Sequence, residues 1–299
     1  MSLARALRLA VRGTVREREP LAPLSSLRAG GAADVLFLPA DAEDLAAGLR
    51  LLAAEGRTAR VLGGGANTLV SDGGVHDPVV QLGPGFSRED WPAPREVVLG
   101  AALSGMRAVR AAHRRGLVGP EFLAGIPGTL GGQVKMNAGT ARTVGDILVA
   151  AELVTVDGAG WFPAAELGLG YRESRLPAGA VVTAVRLSLS EGDVEAADRE
   201  ILADIERRRT AQPWDRPTLG STFKNPPGDA AGRLLEAAGV KGLRRGAMAF
   251  SEKHANFLVN EGGGKAADAF ALVETARRRV LEASGVALAL EIALLGDFS

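Results

Sequence analysis

Cysteine is missing from the 299 residues of this sequence. Its absence excludes disulfides, thiolate catalysis, iron–sulfur clusters and cysteine-based zinc sites, and it agrees with a cytoplasmic location. No apolar run approaches the roughly 18 residues that a membrane helix needs, so we expect no membrane insertion. Neither sign of charge prevails, because 35 Lys and Arg residues balance 35 Asp and Glu residues. We therefore expect no nucleic-acid partner, and we predict no metal site.

The helix and strand signals predict an α+β fold. Hydrophobic residues make up 46% of the chain, which is ordinary for a globular protein. Strands and long helices do not alternate regularly, so segregated sheets are favoured over a doubly wound sheet. Four segments have a helical apolar period with start or stop signals, namely 41–56, 103–116, 193–209 and 265–285. The β-rich runs include 33–39, 59–62, 78–82, 96–100, 147–157, 179–190, 256–260 and 287–296.

Particular residues are expected at the ends and on the faces of these helices. Asp41 is the predicted N-cap of the first helix, and Gly56 is its stop. In the helix over 193–209, the apolar residues Ile201, Leu202 and Ile205 are expected to form one buried stripe.

The chain is long enough for two domains. Residues 1–19 are interpreted as a short amphipathic leader, because their apolar residues share one helical face and no signal-peptide core is present. The polar helix over 193–209 and the proline-containing loop after it mark the clearest boundary. We therefore expect a first domain over 20–196 and a second domain over 197–299.

Three consecutive glycines follow a short β-rich run in RVLGGGANTLVSDGG. Glycine lets backbone N–H groups face outward without a Cβ in the way, as a bound phosphate or pyrophosphate requires. The segment is not a P-loop, because no GKS or GKT follows, and TLVSD reads as a strand and not as the helix of a GxGxxG motif. A dinucleotide-binding loop and a tight hairpin both fit this pattern. The candidate ligand-binding residues are Gly63, Gly64, Gly65, Ala66, Asn67 and Thr68.

A second glycine-rich segment, LAGIPGTLGGQVKMNAGT, follows some sixty residues later. Its glycines again allow close approach of the backbone to a ligand, while Ile126 and Pro127 offer a rigid apolar surface. Two such loops suit a long ligand that is held at several points, and FAD is such a ligand. The candidate residues here are Gly125, Ile126, Pro127, Gly128, Thr129, Gly131, Gly132, Asn137 and Ala138.

Five motifs together resemble one enzyme family. The stretches GGGANTLVSD, AGIPGTLGGQVKMNAG, YRES, GSTFKNP and SEKHANFLVN occur in this order. They look like the consecutive motifs of UDP-N-acetylenolpyruvoylglucosamine reductase, a flavoenzyme of peptidoglycan synthesis. Each motif alone is weak, but the set with its final glutamate extends from Gly63 to Glu291 and covers most of the chain.

The resemblance implies a fold, a cofactor and a reaction. The domain over 20–196 would be a vanillyl-alcohol-oxidase or PCMH-type FAD-binding domain, and the domain over 197–299 a smaller α+β substrate-binding domain. Within the latter, a strand in 287–299 would return Glu291 to the active site. FAD would be bound non-covalently and reduced by NADPH. The substrate would be UDP-N-acetylglucosamine enolpyruvate, reduced to UDP-N-acetylmuramate by a monomer or weak homo-oligomer.

Ser221, in GSTFKNP, has no evident base as a partner. Nucleophilic catalysis by serine needs a histidine and a group that orients it, and nothing local marks any of the three histidines as that partner. From this stretch alone, a serine that caps a turn before a helix is the simpler interpretation. The resemblance instead implies that Ser221 is the family's proton donor, and a general acid needs no base beside it.

The resemblance implies two further catalytic residues. Arg172 in YRES would bind the enolpyruvyl carboxylate, and its planar, permanently charged guanidinium suits a developing enolate. Glu291 matches the second catalytic residue of the family, which polarises the same carboxylate when protonated. From the residues alone, Arg172 is equally a surface residue paired with Glu173. Glu291 is either an inward functional residue of an apolar strand or a residue on its outer face.

Three residues are implied to bind the rest of the substrate together with Arg172. Asn225 matches a family residue that contacts the UDP diphosphate, and Lys224 is a cation beside it. His254 lies in the family's HANF segment of the substrate domain. For His254, a core histidine with satisfied hydrogen bonds is the alternative interpretation.

The sequence departs from the family pattern at several positions. Leu290 and Ala293 replace a proline and an arginine that usually flank the catalytic glutamate, and Ala211 replaces a lysine. No tyrosine follows the second glycine segment, and Tyr171 is the one tyrosine of the chain. The pattern indicates a compact subtype without a tyrosine lid.

Two other functions share some of these features. An FAD-dependent alcohol or sugar-lactone oxidase of the same fold would keep the glycine loops, but it would not need Ser221, Arg172 and Glu291 together. A non-catalytic regulator that binds flavin or a nucleotide sugar is the second alternative. Oxidation of the reduced flavin by the enolpyruvyl sugar would distinguish the reductase from both.

Overall fold

The computed structural model describes residues 1–298, so Ser299, the last residue of the predicted second domain, lies outside it. The chain divides into two compact units. Unit 1 comprises Met1–Glu17, Val35–Gly64 and Asp77–Ile205, and unit 2 comprises Arg18–Asp34, Gly65–His76 and the residues from Glu206 onward. Within the described residues, no helix has the combination of length and apolarity that crossing a membrane requires.

Seven α-helices occur in residues 1–298, and five short 3-10 turns accompany them. The helices are α1 (Leu3–Ala10), α2 (Ala42–Ala54), α3 (Gly105–His113), α4 (Leu130–Lys135), α5 (Val194–Ala211), α6 (Ala231–Ala237) and α7 (Ala266–Ser284). The 3-10 turns are Ala22–Leu24, Pro84–Phe86, Glu121–Leu123, Val144–Asp146 and Ala164–Leu167.

The same residues contain 17 strands. The first nine are β1 (Thr14–Pro20), β2 (Ala32–Leu38), β3 (Arg60–Val61), β4 (Thr68–Val70), β5 (Val79–Val80), β6 (Glu89–Ala93), β7 (Glu96–Gly100), β8 (Leu117–Val118) and β9 (Leu148–Thr155). The others are β10 (Gly158–Pro163), β11 (Val181–Ser188), β12 (Ser190–Glu191), β13 (Thr218–Ser221), β14 (Arg244–Arg245), β15 (Met248–Phe250), β16 (Phe257–Asn260) and β17 (Ala293–Leu295).

Unit 1 is built around an antiparallel sheet of five strands in the order β10-β9-β11-β7-β6. Apolar residues of β7, β9 and β11 pack with α3 and α4 into one core. A second core joins α1 and α2 to β2 and β5, which run parallel. Asp41 caps α2 as predicted, because its Oδ1 accepts from the Asp44 N–H at 3.0 Å, and Leu45, Leu49 and Leu52 are buried below it.

Unit 2 has one main core between a sheet and two helices. Its sheet has the order β13-β16-β15-β14. Phe223 and Phe250 are fully buried and stack at 6.5 Å between ring centroids, within the same apolar cluster as residues of α6 and α7. Helix α7 ends at Gly285, as predicted, with a left-handed φ of 72°. A separate parallel pair joins β4 to β17.

The predicted strand over 287–296 is wrong in its first half. Only Ala293–Leu295 forms a strand, and Glu291 lies on a bend before it. The segment changes partners at this point. Lys224 donates its N–H to Ala289 O at 2.9 Å, and the Ala293 N–H bonds Asn67 O at 2.8 Å. A single continuous strand cannot serve both partners.

One further expectation about local structure is wrong, and one helix was not expected. Leu202 is 67% exposed, while Ala197 and Ile201, one turn apart, form the buried side of α5. Residues 201 and 202 are about 100° apart around a helix, so a narrow stripe cannot bury both. Helix α4 was not predicted, because Gly131 and Gly132 are poor helix formers.

Candidate active site

The two glycine-rich segments touch each other within unit 1. A Cβ added to Gly64 would lie 2.8 Å from the Cα of Gly128, and one added to Gly63 would lie 3.1 Å from Thr129 Oγ1. The first contact is between two backbone segments. Neither segment can move aside at low cost to make room for a side chain. The tight-hairpin interpretation is wrong, because β3 pairs with β5 while β4 pairs with β17.

Three backbone donors at this contact lack acceptors. Among residues 1–298, the N–H groups of Gly63, Gly64 and Gly128 donate to no protein atom. Backbone N–H groups without internal partners are costly unless water or a ligand accepts from them. Neighbouring N–H groups without side chains form a cradle for an anion such as a pyrophosphate. The residues present therefore fit the diphosphate of FAD.

The remainder of the first glycine segment belongs to unit 2. Gly65 has a φ of 62°, and a Cβ there would lie 1.9 Å from a neighbouring backbone oxygen, so only glycine fits. Asn67 donates from Nδ2 to Glu291 O at 3.0 Å. Ala66 is half-buried, and Thr68 begins β4. Asn67 thus connects this segment to the one that carries Glu291.

The second glycine segment forms a turn followed by α4. Thr129 is the N-cap of α4, and its Oγ1 accepts from the Gly132 N–H at 3.5 Å. Gly131 packs on Ala101, whose Cβ would lie 3.2 Å from a Cβ at position 131. Before the helix, Gly125 and Ile126 are half-buried and Pro127 is exposed.

Asn137 and Ala138, just after α4, are buried. Asn137 has a left-handed φ of 40°, which asparagine tolerates better than most residues. Its Nδ2 donates to Gly170 O at 3.0 Å, and its Oδ1 accepts from the Gly145 N–H at 2.9 Å. Both ends of this amide are therefore engaged by the protein itself.

Arg172 lies in a tight turn of unit 1 between Gly170 and Glu173. It is half-buried, and its guanidinium carbon is 5.4 Å from the centroid of the Tyr171 ring. Its φ is 56°, a conformation that costs a residue with a long side chain about 1–3 kcal/mol. Such strain persists only where surrounding contacts enforce it, and it clusters at functional sites.

Ser221 and Glu291 come together in unit 2. Ser221 ends β13, and the Thr222 O beside it accepts from the Glu291 N–H at 2.9 Å. Both residues are half-buried. Within residues 1–298, the Ser221 hydroxyl has no hydrogen-bond partner, so no protein base accepts its proton. The turn-capping interpretation is wrong, because Ser221 lies on a strand.

Lys224 and Asn225 follow directly in the same unit. Asn225 is exposed, and its Oδ1 accepts from the Ala231 N–H at 2.9 Å, at the start of α6. Lys224 is half-buried. Lys224 and Asn225 thus follow Ser221 closely in the sequence.

His254 is held from two sides in unit 2. Its Nδ1 accepts from the Asn256 N–H at 3.2 Å, which places the proton of the neutral ring on Nε2. The ring packs edge-on against Phe257 at 4.8 Å between centroids. Burial lowers the pKa of His254 below its ordinary value of 6.5, because the low dielectric disfavours the charged ring.

The lowered pKa of His254 predicts a pH dependence of stability. The unfolded chain binds a proton more readily than the folded chain, so stability is present above pH 6.5 and declines as the pH falls through the folded-state pKa. We expect His254→Gln to remove this component. Urea unfolding at about pH 7.5 and about pH 5.5 measures it in both proteins. Equal losses of stability on acidification would contradict the prediction.

Asn256 supports Ser221 in a way that the sequence did not reveal. It is 3% exposed, its Oδ1 accepts from the Phe223 N–H at 2.9 Å, and its Nδ2 donates to Phe223 O at 2.8 Å. Its own carbonyl accepts from the Thr222 N–H at 2.8 Å. Asn256 therefore fixes the backbone just after Ser221. An apolar-flanked asparagine in HANFLVN was the only signal available.

Family models match both parts of the chain. The model of an FAD binding domain matches residues 33–160, and the model of the C-terminal domain of UDP-N-acetylenolpyruvoylglucosamine reductase matches residues 212–295. The class is therefore an FAD-binding oxidoreductase, with an α+β FAD domain and a smaller second domain. This confirms the predicted fold class and the predicted cofactor FAD.

Individual relatives agree over nearly the whole length. The reductase of an Anaeromyxobacter species is 52% identical, over 96% of this chain and 91% of the relative. The reductase of Myxococcus xanthus is 48% identical, over 95% of this chain and 93% of the relative. The crystal structure of the Thermus caldophilus enzyme superposes with a TM-score of 0.81 at 39% sequence identity. The superposition covers 95% of this chain and 99% of the Thermus chain. This chain belongs to the UDP-N-acetylenolpyruvoylglucosamine reductase family.

Proposed function

We propose that this chain reduces UDP-N-acetylglucosamine enolpyruvate to UDP-N-acetylmuramate for peptidoglycan synthesis, with FAD as cofactor and NADPH as reductant. One observation carries the proposal, namely 52% identity over 96% of the chain to a relative that bears the reductase name. The backbone bond from the Glu291 N–H to Thr222 O, one residue after Ser221, supports it. Two half-reactions follow, in which NADPH reduces the flavin and the enolpyruvyl sugar reoxidises it.

The two glycine segments would hold the cofactor. We assign the diphosphate to the N–H groups of Gly63, Gly64 and Gly128, which have no acceptor among residues 1–298. The other cofactor-binding residues would be Gly65, Ala66, Asn67, Thr68, Gly125, Ile126, Pro127, Thr129, Gly131, Gly132 and Ala138, together with the backbone alone of Asn137, whose side-chain amide is engaged by Gly170 O and the Gly145 N–H. When bound, FAD supplies the hydride that it has received from NADPH.

The contact between Gly64 and Gly128 makes the cradle sensitive to one methyl group. Gly64→Ala would force the two backbones apart, and overpacking of about 1–3 kcal/mol predicts an FAD Kd that is raised by about 5- to 150-fold. Titration of the apoprotein with FAD, followed by flavin fluorescence, measures this.

Gly83→Ala is the matched control for Gly64→Ala. Gly83 has nothing within 4 Å of its would-be Cβ and an ordinary φ of −112°. We expect it to leave the FAD Kd unchanged. The same Kd for both variants would show that the backbone contact does not shape the cradle.

Ser221 would act as the general acid. Hydride arrival at the β-carbon of the enolpyruvyl group leaves negative charge at the α-carbon, delocalised into the carboxylate. The Ser221 hydroxyl gives its proton to the α-carbon, so that a C–H bond forms as the O–H bond breaks, and water then restores the serine proton. A hydroxyl without a base partner suits donation and not nucleophilic attack.

Arg172 and Glu291 would act on the carboxylate. The Arg172 guanidinium can bind both carboxylate oxygens and stabilise the charge that develops on them. Glu291 would polarise the same group. Lys224 and Asn225 would bind the diphosphate of UDP, and His254 would complete the substrate site.

Anaerobic half-reactions test the function directly. The enzyme is reduced with NADPH, mixed with the enolpyruvyl UDP-sugar and followed by flavin absorbance. We expect reoxidation with one UDP-N-acetylmuramate formed per flavin. UDP-N-acetylglucosamine, which lacks the enolpyruvyl group, is the matched control and should not reoxidise the flavin. Reoxidation by oxygen but not by the enolpyruvyl sugar would favour an oxidase, and a flavin that NADPH does not reduce would favour a regulator.

We further propose a cytoplasmic enzyme that is a monomer or weak homo-oligomer, with an FAD domain over 20–196 and a substrate domain over 197–299. The two family-model matches, over residues 33–160 and 212–295, support the division into two domains. Analytical ultracentrifugation at several protein concentrations tests the oligomeric state. A stable oligomer at low concentration would contradict it.

A further inference from the structure

The turn that carries Arg172 is closed by two backbone hydrogen bonds between Gly170 and Glu173. Gly170 donates its N–H to Glu173 O at 3.0 Å, and Glu173 donates back to Gly170 O at 3.4 Å. The second bond is long, and Arg172 between them has a φ of 56°. An arginine prefers other backbone conformations, so contacts that hold the turn in place stabilise this one.

The segment after α4 provides that support within unit 1. Asn137 Nδ2 donates to Gly170 O at 3.0 Å, which is shorter than the 3.4 Å bond that the Glu173 N–H makes to the same oxygen. On the other side of Arg172, the Ser174 Oγ donates to Lys135 O at 2.8 Å. The two side-chain bonds therefore tie the turn to the end of α4 on both sides of Arg172.

Asn137 is suited to act as a fixed anchor. It is 6% exposed, and its Oδ1 accepts from the Gly145 N–H at 2.9 Å. This second bond fixes the orientation of the amide, so that Nδ2 points at Gly170 O. To turn toward a bound cofactor, the amide would have to break both of these hydrogen bonds.

We propose that Asn137 is a positioning residue for Arg172, with Ser174 as its counterpart on the other side of the turn; the inference rests on the proposed function for the role of Arg172. The Asn137 side chain selects the left-handed conformation that aims the guanidinium at the substrate carboxylate. The predicted contact of Asn137 with the flavin would then involve its backbone atoms and not its side chain.

A double-mutant cycle tests the proposal on the FAD-loaded enzyme. We expect Asn137→Ala to slow reoxidation by the enolpyruvyl sugar by up to about 10²-fold, with FAD content, flavin spectrum and reduction by NADPH unchanged. In the Arg172→Ala background, adding Asn137→Ala should change the rate by less than about twofold, because both act through one group. Multiplicative effects, or loss of FAD in Asn137→Ala, would overturn the proposal.

A structural readout keeps the test independent of turnover. Hydrogen exchange at the amides of Gly170 and Glu173 should quicken in Asn137→Ala, while the amides of α4 stay protected. Ser174→Ala, which removes the opposite bond, should show the same pattern and serves where Asn137→Ala does not fold. Unchanged exchange in a folded variant would overturn the proposal.

Asn260→Ala is the matched control. Asn260 is also buried, at 2% exposed, and it bonds only to unit 2 groups such as Leu27 O at 2.9 Å. Its effect on reoxidation should multiply with that of Arg172→Ala. The wild-type half-reaction tests the proposed function separately, since a wild-type enzyme that the enolpyruvyl sugar cannot reoxidise would refute that function and leave the exchange result standing.

Discussion

Replacement of Ser221 by alanine is expected to slow reoxidation of the flavin severely and to leave reduction of the flavin unchanged. Reoxidation by the enolpyruvyl sugar should slow by about 10²- to 10⁴-fold, the contribution typical of a general acid. Reduction of the flavin by NADPH should proceed at the wild-type rate, because no proton donor is needed there. Anaerobic stopped-flow measurement of both steps on one enzyme preparation provides the comparison.

Two further results sharpen the Ser221 experiment. Ser221→Cys retains a donor of similar size, so it should recover part of the activity that Ser221→Ala loses. The strand should survive both changes, since Thr222 and Phe223 are held through backbone groups. Equal damage to both half-reactions in Ser221→Ala would refute the role of proton donor.

Arg172→Lys is expected to slow reoxidation by the enolpyruvyl sugar nearly as much as Ser221→Ala does. Lysine keeps the charge but loses the planar fork that binds both oxygens of a carboxylate. Removal of one such donor from a developing oxyanion typically costs about 10²- to 10³-fold. We expect that loss in reoxidation by the enolpyruvyl sugar, with flavin reduction unchanged, measured by the same two half-reactions.

Arg175→Lys is the matched control for Arg172→Lys. Arg175 is exposed on the same loop, three residues later, and its stem packs on Gly168. The same substitution there should leave both half-reactions within about twofold of wild type. If Arg175→Lys and Arg172→Lys have equal effects, the loop and not the guanidinium of Arg172 is responsible.

Local signals in the sequence predicted the start of α2, its buried face and the end of α7. Asp41 and the leucines of α2, and Gly285 after α7, were found because capping and periodicity depend on neighbours within a few residues. The five motifs likewise identified the family, since their order along the chain is itself a sequence property. The family models and relatives confirmed that assignment.

The exposure of Leu202 follows from helix geometry alone, and the other errors fall where distant segments decide the structure. Glu291 lies on a bend, and not in a strand, because residues on either side of it pair with different segments. The role of Asn256 depends on Phe223, 33 residues away in sequence. Helix α4 forms despite its glycines because Gly131 packs closely on Ala101. None of these partners can be read from local periodicity.

The backbone around Ser221 is bonded on both of its edges. Asn256 holds Thr222 and Phe223 from one side, and the segment before β17 holds Thr222 and Lys224 from the other. With the main chain fixed, the serine keeps two torsional freedoms, χ1 and the rotation of its hydroxyl hydrogen, and the three staggered wells of χ1 define the directions in which the Oγ can point. Proton delivery then depends on one of three Oγ positions and on the direction of the O–H bond, and a bound substrate needs only to select one such combination.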